Sequence, residues 1–437
     1  MSSSQPALFS RMIESPLLRG GLTLVAGVLT GNVIGFARVA LTAYLLGTHS
    51  RADSLAVAMG PTDTLNSVLI NSLVFAFVPM LTARAGAERA ALYGQLLRCF
   101  AVVSAAIAAA VMLGAPLLMR VLAPGLDPAY FPVAVTNLRI FAFSTLAAGL
   151  GAIPCALLYT TRRFAPTAFY QAALNACTSV VALALWKVLG VYAFAAGYAL
   201  GAWVQFAIMW WAVRGESGSA EGAPGFRWTE LLARPAFFVV YAAGLGANIV
   251  FTRAYATHAG PGMAAALDYC MRGVGVPLAI LVTPIANSML PEIARLRALG
   301  RLRDALRLVD RTVAVAALVA VSGCVFALAF RTPAVRLLFE HGSFTPESTQ
   351  LVAAVFLGLG PSMVGWSLIE ITARALFAMD RPWPPVLAIL IPVAVNVAIT
   401  LRLRPGAEWL GAGSSVGLMA GFVALFGMLH VARKGWG

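Results

Sequence analysis

Residues 248–291 read NIVFTRAYATHAGPGMAAALDYCMRGVGVPLAILVTPIANSMLP, and this stretch decides the fold. It predicts two apolar helices with a break at Gly260–Gly262, each about long enough to cross a bilayer. Arg253 interrupts the first helix, and Asp268 and Arg272 interrupt the second. A charged side chain at bilayer depth costs about 2.5–3.5 kcal/mol on insertion scales, so it normally faces a bundle interior or a watery cavity. The stretch therefore predicts a polar cavity inside a helical membrane protein.

The same arrangement occurs once earlier in the chain. Arg38 lies in an apolar helix and Asp53 follows fifteen residues later, the same separation as between the first two charges of the later stretch. The two copies lie 215 positions apart, about half of the chain, and the helices that follow them end in FVPMLTAR at 77–84 and MLPEIAR at 289–295. An internal duplication of this kind is typical of transporters that work by alternating access.

The composition indicates a polytopic all-α membrane protein. Of 437 residues, 60% are hydrophobic and 11% charged, whereas soluble domains carry about 25% charged residues. The net charge of +14 does not indicate nucleic-acid binding, because the basic residues lie mostly in short segments between apolar runs. We expect about twelve spans, near 21–47, 53–81, 99–123, 131–160, 165–189, 191–213, 235–257, 263–290, 312–330, 347–378, 384–401 and 409–432.

These spans are expected to form two pseudo-symmetric lobes of six helices. Residues 1–214 form the N-terminal lobe, the polar segment 215–230 is a cytoplasmic linker, and residues 231–437 form the C-terminal lobe. Lys and Arg concentrate in the segments at one end of the spans, which predicts that both termini lie in the cytoplasm. The same bias predicts that residues 331–347 face outside.

A further pair of charges lies in the tenth expected span. Thr345 followed by Pro346 predicts a helix start with a hydroxyl N-cap and proline at the first position. Glu370 and Arg374 lie in this span four residues apart, so they share one helix face. They are candidate substrate-binding residues, and the alternative is a structural ion pair that braces two helices.

Four groups of motifs resemble a known family. They are GFAR at 35–38 with Ala52-Asp53 and AFVP at 76–79, ALDYCMR at 266–272 with Pro277 and Leu290-Pro291, FEHGSFT at 339–345, and ARALFA at 373–378 with Asp380 and Pro384-Pro385. In this order, over most of the chain, they resemble the MviN/MurJ family of lipid II flippases. That family belongs to the multidrug/oligosaccharidyl-lipid/polysaccharide exporter superfamily.

The resemblance implies a two-lobed bundle around a central cationic cavity in a bacterial cytoplasmic (inner) membrane. Its cargo would be an undecaprenyl-pyrophosphate-linked glycan precursor, lipid II or a related lipid-linked oligosaccharide, moved from the cytoplasmic to the outer leaflet by alternating access. The family's basic cavity residues carry over at Arg38 and Arg272 and its acidic one at Asp53. The family has another basic residue in its first span, and this chain departs from that pattern with Asn32 at the corresponding position. Membrane lipids and envelope glycan synthases would be the other partners in peptidoglycan and cell-wall biosynthesis.

The intramembrane charges fit this cargo chemically. Arg38, Arg253 and Arg272 would hold the pyrophosphate, because guanidinium groups bind phosphate oxygens bidentately. Asp53 and Asp268 would offset positive charge in the empty cavity, and they are candidates for a coupling cation such as sodium or a proton. The alternative for Asp268 is an ion pair within its own helix, with Arg272 four residues on.

Other functions remain open at this point. A cation-coupled multidrug exporter of the same superfamily would need a mainly acidic and aromatic cavity, whereas the spans hold more arginines than acids. A membrane-embedded glycosyl- or phosphotransferase would need clustered carboxylates, which the sequence does not establish. A non-transporting envelope scaffold would not require charges inside its spans. We therefore expect a transporter without catalytic residues, metal or resident cofactor.

Overall fold

The computed structural model describes residues 16–161, 163–216, 228–277, 282–379 and 381–434. Within these ranges the chain is helical without strands, as the sequence predicted. The helices are α1 (Pro16–Leu46), α2 (Ser50–Thr82), α3 (Gly86–Leu122), α4 (Phe131–Thr160), α5 (Phe164–Ala168), α6 (Tyr170–Leu189), α7 (Tyr192–Val213), α8 (Trp228–Ala256), α9 (Met263–Pro277), α10 (Thr283–Ala298), α11 (Leu302–Ala329), α12 (Arg331–Phe339), α13 (Pro346–Leu359), α14 (Ser362–Ala378), α15 (Trp383–Ala388), α16 (Leu390–Thr400) and α17 (Ala412–Lys434).

Every expected span coincides with one or two of these helices. In the described ranges, nine helices are long and apolar enough to cross a membrane, or ten when α13 and α14, bent by 45°, form one span. Helix α2 has 33 residues but is not among them, and α9 and α10 are separated by residues outside the described ranges. The count of twelve therefore stays a prediction, and most of the expected linker lies outside the described ranges.

Two local sequence signals act as predicted. Helix α8 ends at Ala256 and α9 begins at Met263, with Gly260 at φ 128° and Gly262 at φ 83° between them. Glycine populates positive φ without a Cβ clash, so these residues let the chain reverse between two helices. Thr345 caps α13, because its hydroxyl accepts a hydrogen bond from the backbone N–H of Ser348 at 3.4 Å.

Chain contacts divide the protein into two compact units. The first unit comprises Met1–Arg38, Leu65–Gly114 and Leu138–Pro235. Its buried core lies between α2, α3, α4 and α7 and includes Phe77, Phe100 and Met209. The backbones of helices α6 and α7 approach closely at Gly201. A Cβ on this residue would lie 2.7 Å from the carbonyl oxygen of Leu174, so only a glycine fits there. Small residues permit such backbone approach between membrane helices.

The second unit comprises Val39–Thr64, Ala115–Asn137 and Ala236–Gly437. Its core lies between α8, α10, α11, α14 and α17 and includes Tyr241, Val309, Ile371, Leu376 and Leu425. The expected division into an N-terminal and a C-terminal lobe stays a prediction.

Several loops meet at one end of the second unit. The N–H of Gly125, after α3, donates to the Thr257 hydroxyl, after α8, at 3.0 Å. The N–H of Ser343, after α12, donates to the carbonyl oxygen of Tyr44, near the end of α1, at 2.8 Å. The lysine and arginine bias predicts that these same loops face outside the cell.

We predict that a cysteine at the exposed Ser343 reacts with an impermeant maleimide added to intact spheroplasts. The lysine and arginine bias also predicts that the arginine-rich segment 292–311 is cytoplasmic, so a cysteine at the exposed Arg303 should react only after lysis. The measurement is gel detection of the labelled protein. The reverse pattern would show that the orientation is opposite.

Candidate functional site

Two glycine turns extend the internal duplication from the sequence to the backbone. Gly47 ends α1 at φ 59° and Gly262 precedes α9 at φ 83°, and these glycines are 215 positions apart, like the two Arg–Asp patterns. The turns pack together in the second unit. A Cβ on Gly262 would lie 2.3 Å from the carbonyl oxygen of Thr48, and the Tyr269 hydroxyl donates to the carbonyl oxygen of Gly47 at 2.8 Å. We call Gly47, Thr48, Asp53, Gly262, Ala265, Tyr269 and Ser348 the paired-turn cluster.

Asp53 binds the start of α9. Its side chain is buried, and its two carboxylate oxygens accept hydrogen bonds from the backbone N–H groups of Gly262 at 2.6 Å and Ala265 at 2.8 Å. The first N–H groups of a helix have no partner within the helix and carry partial positive charge. The carboxylate satisfies them, and they in turn compensate its burial. Asp53 from the first copy of the duplication thus caps the second helix of the second copy.

Arg253 and Asp268 form an ion pair across the turn between α8 and α9. Their side chains are 12% and 23% exposed. The only partner that the sequence suggested for Asp268 was Arg272, four residues on in the same helix, whereas the structure pairs Asp268 with Arg253. Gly60 on α2 leaves space for the Arg253 guanidinium, since a Cβ at this position would lie 2.2 Å from Nη1 of Arg253.

Arg272 differs from the candidate residues Arg38 and Arg253, which have partners. It lies on α9, one turn beyond Asp268, and it is partly exposed. Among the described residues, no hydrogen bond or ion pair engages its guanidinium. It is therefore the candidate whose donors are best placed for an external anion.

Two candidate residues belong to the first unit. Arg38 is buried, and its Nε donates to Oδ1 of Asn175 on α6 at 3.0 Å. Asn175 itself donates to the carbonyl oxygen of Gly31 at 3.4 Å. Asn32 donates to the carbonyl oxygen of Val28 at 2.9 Å, within its own helix. Sequence reasoning missed Asn175, although a single asparagine in an apolar helix is a signal for a buried polar partner.

Glu370 and Arg374 pair with each other along one face of α14. Nε of Arg374 lies 2.9 Å from Oε1 of Glu370, and the two side chains are about one-quarter and one-third exposed. This ion pair lies within one helix, whereas the structural alternative expected from the sequence was a brace between two helices.

A neutral polar network, also missed by the sequence reasoning, joins α8, α16 and α17. Nδ2 of Asn396 donates to Oδ1 of Asn248 at 2.8 Å and to the Thr252 hydroxyl at 2.9 Å. Asn248 donates to the Ser414 hydroxyl at 2.7 Å, and the Thr400 hydroxyl donates to Oδ1 of Asn396 at 2.9 Å. All five side chains are buried and uncharged, so amides and hydroxyls satisfy one another there.

Many apolar helices, paired charges inside them and a duplicated arrangement define a polytopic helical transporter. A family model described as "Lipid II flippase MurJ" matches residues 42–435. The chain is 29% identical to the probable lipid II flippase MurJ of Rhizobium meliloti (strain 1021), covering 96% of this chain and 82% of that protein. The chain thus belongs to the MurJ family of lipid II flippases, which are transporters and not enzymes. The resemblance inferred from the motifs is confirmed.

Solved structures show the same fold. A lipid II flippase MurJ in an inward closed conformation superposes with a TM-score of 0.82 at 16% identity, covering 94% of this chain and 87% of that chain. An inward-facing transporter of the multidrug MATE family, in the MOP superfamily, gives a TM-score of 0.80 at 11% identity, covering 94% of this chain and 98% of that chain. The fold alone therefore does not separate flippases from multidrug exporters, whereas the family match does.

We predict that Arg253→Ala lowers the stability of the protein by about 3 kcal/mol, the low end for a buried ion pair, because it removes the cation from the partly buried Asp268 carboxylate. The double variant Arg253→Gln with Asp268→Asn should be closer to the wild type, since neither charge is then stranded. Thermal unfolding of the purified protein in detergent micelles measures both. Equal losses in the single and double variants would show that the ion pair is not what Arg253 contributes.

Proposed function

We propose that this chain moves lipid II from the cytoplasmic to the outer leaflet by alternating access, and that Arg272 is a main ligand of the pyrophosphate. One observation carries the assignment of Arg272: its guanidinium is partly exposed and engages no described partner, whereas Asp268 neutralises Arg253. A pyrophosphate leaving the headgroup layer needs positive partners, and a guanidinium can bind two phosphate oxygens at once.

Position along the helix supports the same residue. An α-helix rises about 1.5 Å per residue, so Arg272 lies about 15 Å along α9 from Gly262. The hydrocarbon core of a bilayer is about 30 Å thick, which puts Arg272 near its middle if α9 begins at the outer surface. Binding near the midplane is the general arrangement in transporters with alternating access.

We propose that the paired-turn cluster is the closed outer gate. Its support comes from the loops that meet there, which the charge bias places outside, and from the two similar structures described as inward closed and inward-facing. Opening this gate would separate the Asp53 carboxylate from the N–H groups of Gly262 and Ala265. Both partners would then need water or another ligand.

A coupling cation fits the same gate. In the closed arrangement both Asp53 oxygens accept backbone hydrogen bonds, and Asp268 is paired with Arg253. Once the gate opens, Asp53 loses the donors that compensate its charge, and a proton or a sodium ion would compensate it instead. We therefore place the coupling step, by proton or sodium, at Asp53 in the open state.

Cytoplasmic termini follow from the lysine and arginine bias. Envelope glycan synthases are expected partners, because the flipped precursor has to be polymerised in the outer leaflet.

We predict that Arg272→Ala abolishes the appearance of lipid II in the outer leaflet, because the pyrophosphate loses its ligand. Arg272→Lys should restore only part of the transport, since an ammonium group lacks the bidentate geometry. The measurement is the amount of lipid II in spheroplasts that an impermeant lipid II-cleaving enzyme can reach.

The matched control is Arg307→Ala, which removes an exposed arginine from the start of α11 and should leave transport unchanged. All variants need equal amounts of folded protein in the membrane. Wild-type transport by a folded Arg272→Ala protein would rule out Arg272 as a main ligand.

The gate is tested by a disulfide. The hydroxyl oxygens of Thr48 and Ser348 lie 2.6 Å apart, so cysteines at these positions should form a disulfide under oxidation. The background should lack Cys99, Cys155, Cys177, Cys270 and Cys324. We expect the disulfide to stop lipid II transport and a reductant to restore it. Unchanged transport by a fully cross-linked protein would show that the cluster does not open.

A further inference from the structure

A cleft in the first unit involves none of the charged residues described above. Arg163 precedes α5 and Arg214 follows α7, and both border the cleft. Its wall includes Phe169 and Ala173 near the start of α6 and Ile208 near the end of α7. The cleft has a volume of about 610 Å³, which is within the range of about 300–1,000 Å³ for small-molecule pockets.

Contacts with the end of α7 position both guanidinium groups at the rim. Nη1 of Arg163 donates to the carbonyl oxygen of Ala212 at 2.7 Å. The guanidinium carbon of Arg214 lies 4.6 Å from the centre of the Trp211 ring, a cation–π contact. Both arginines are solvent-exposed, so they remain within reach of a ligand in the cleft.

The surroundings of the cleft are those of a membrane–water interface. Phe169, Trp210 and Trp211 are all substantially exposed at this end of α6 and α7. Tryptophan is enriched where membrane helices meet the headgroup layer. The charge bias that orients the chain places this end of α7 on the cytoplasmic side, where the leaflet is rich in anionic lipids.

We propose that the cleft binds an anionic phospholipid from the cytoplasmic leaflet. The phosphate would lie between Arg163 and Arg214, and the glycerol and upper acyl carbons would pack on Phe169, Ala173 and Ile208. A soluble anion would gain nothing from the apolar wall, and a neutral or cationic amphiphile would gain nothing from two guanidinium groups. Phospholipids surround a membrane protein at high local concentration, so mass action favours their binding in the cleft.

The bound lipid would fix the ends of α5, α6 and α7 at the headgroup layer. Lipid binding in this cleft does not require lipid II transport, so it can be measured independently of the proposed function. Lipid binding should require both the positive charge at the rim and the open space inside the cleft. Substitutions can remove either feature separately.

The contribution of the two arginines is tested by titrating phosphatidylglycerol into the purified protein. Native mass spectrometry then counts the bound lipids. We expect Arg163→Gln with Arg214→Gln to weaken phosphatidylglycerol binding at least tenfold. Arg163→Lys with Arg214→Lys should recover part of the affinity. The control Arg303→Gln with Arg307→Gln removes the same charge from two exposed arginines of another region and should bind as the wild type does.

Ala173→Trp tests the shape, because it fills the cleft and leaves both arginines in place. We expect it to reduce phosphatidylglycerol binding as strongly as the loss of both charges, with an unchanged unfolding temperature. Wild-type affinity in this variant would mean adsorption to surface charge only. Equal affinity for phosphatidylethanolamine, equal losses in the control pair, or displacement of phosphatidylglycerol by equimolar lipid II would each overturn the proposal.

Discussion

The hydrogen bonds between the Asp53 carboxylate and the start of α9 are the constraint on which the second unit depends. A buried carboxylate is stable only where donors or positive charge compensate the loss of water. Here the donors are backbone N–H groups of Gly262 and Ala265, so the compensation depends on where a helix begins and not on a charged side chain. The tight turn at Gly47, and the contact of Tyr269 with it, keep the two elements in register.

The same requirement accounts for three other polar contacts inside the two units. Asp268 compensates Arg253, Asn175 receives the Nε of Arg38, and Asn248 and Asn396 satisfy each other. Arg272 is an exception, because no described residue compensates its positive charge. Burying a charge without a compensating group is unfavourable, and Arg272 avoids part of this cost because its side chain is only half-buried.

The sequence alone was sufficient for the class of fold and for the residues that carry charge. Helical spans, the break at Gly260–Gly262 and the N-cap at Thr345 follow from local preferences that burial does not override. The partner of Asp268 could not be predicted from the sequence. Arg272 lies four residues on along the same helix and Arg253 lies fifteen residues before it across a turn, and the sequence is compatible with either pairing. Asn175 and the Asn248–Asn396 network were missed for another reason: an asparagine in an apolar run indicates that it needs a partner, but the sequence does not say which residue that partner is.

Gly60 shows how the ion pair limits the evolution of this chain. A methyl group at this position would lie within 2.2 Å of Nη1 of Arg253, so any larger residue displaces the guanidinium from Asp268. Three positions on three different helices are thereby coupled: a side chain at 60 requires the arginine at 253 to shift or to become smaller, and a smaller residue at 253 removes the cation from the carboxylate at 268. Natural sequences with a larger residue at 60 should therefore also differ at 253 and 268, and a search for covarying columns would find this coupling.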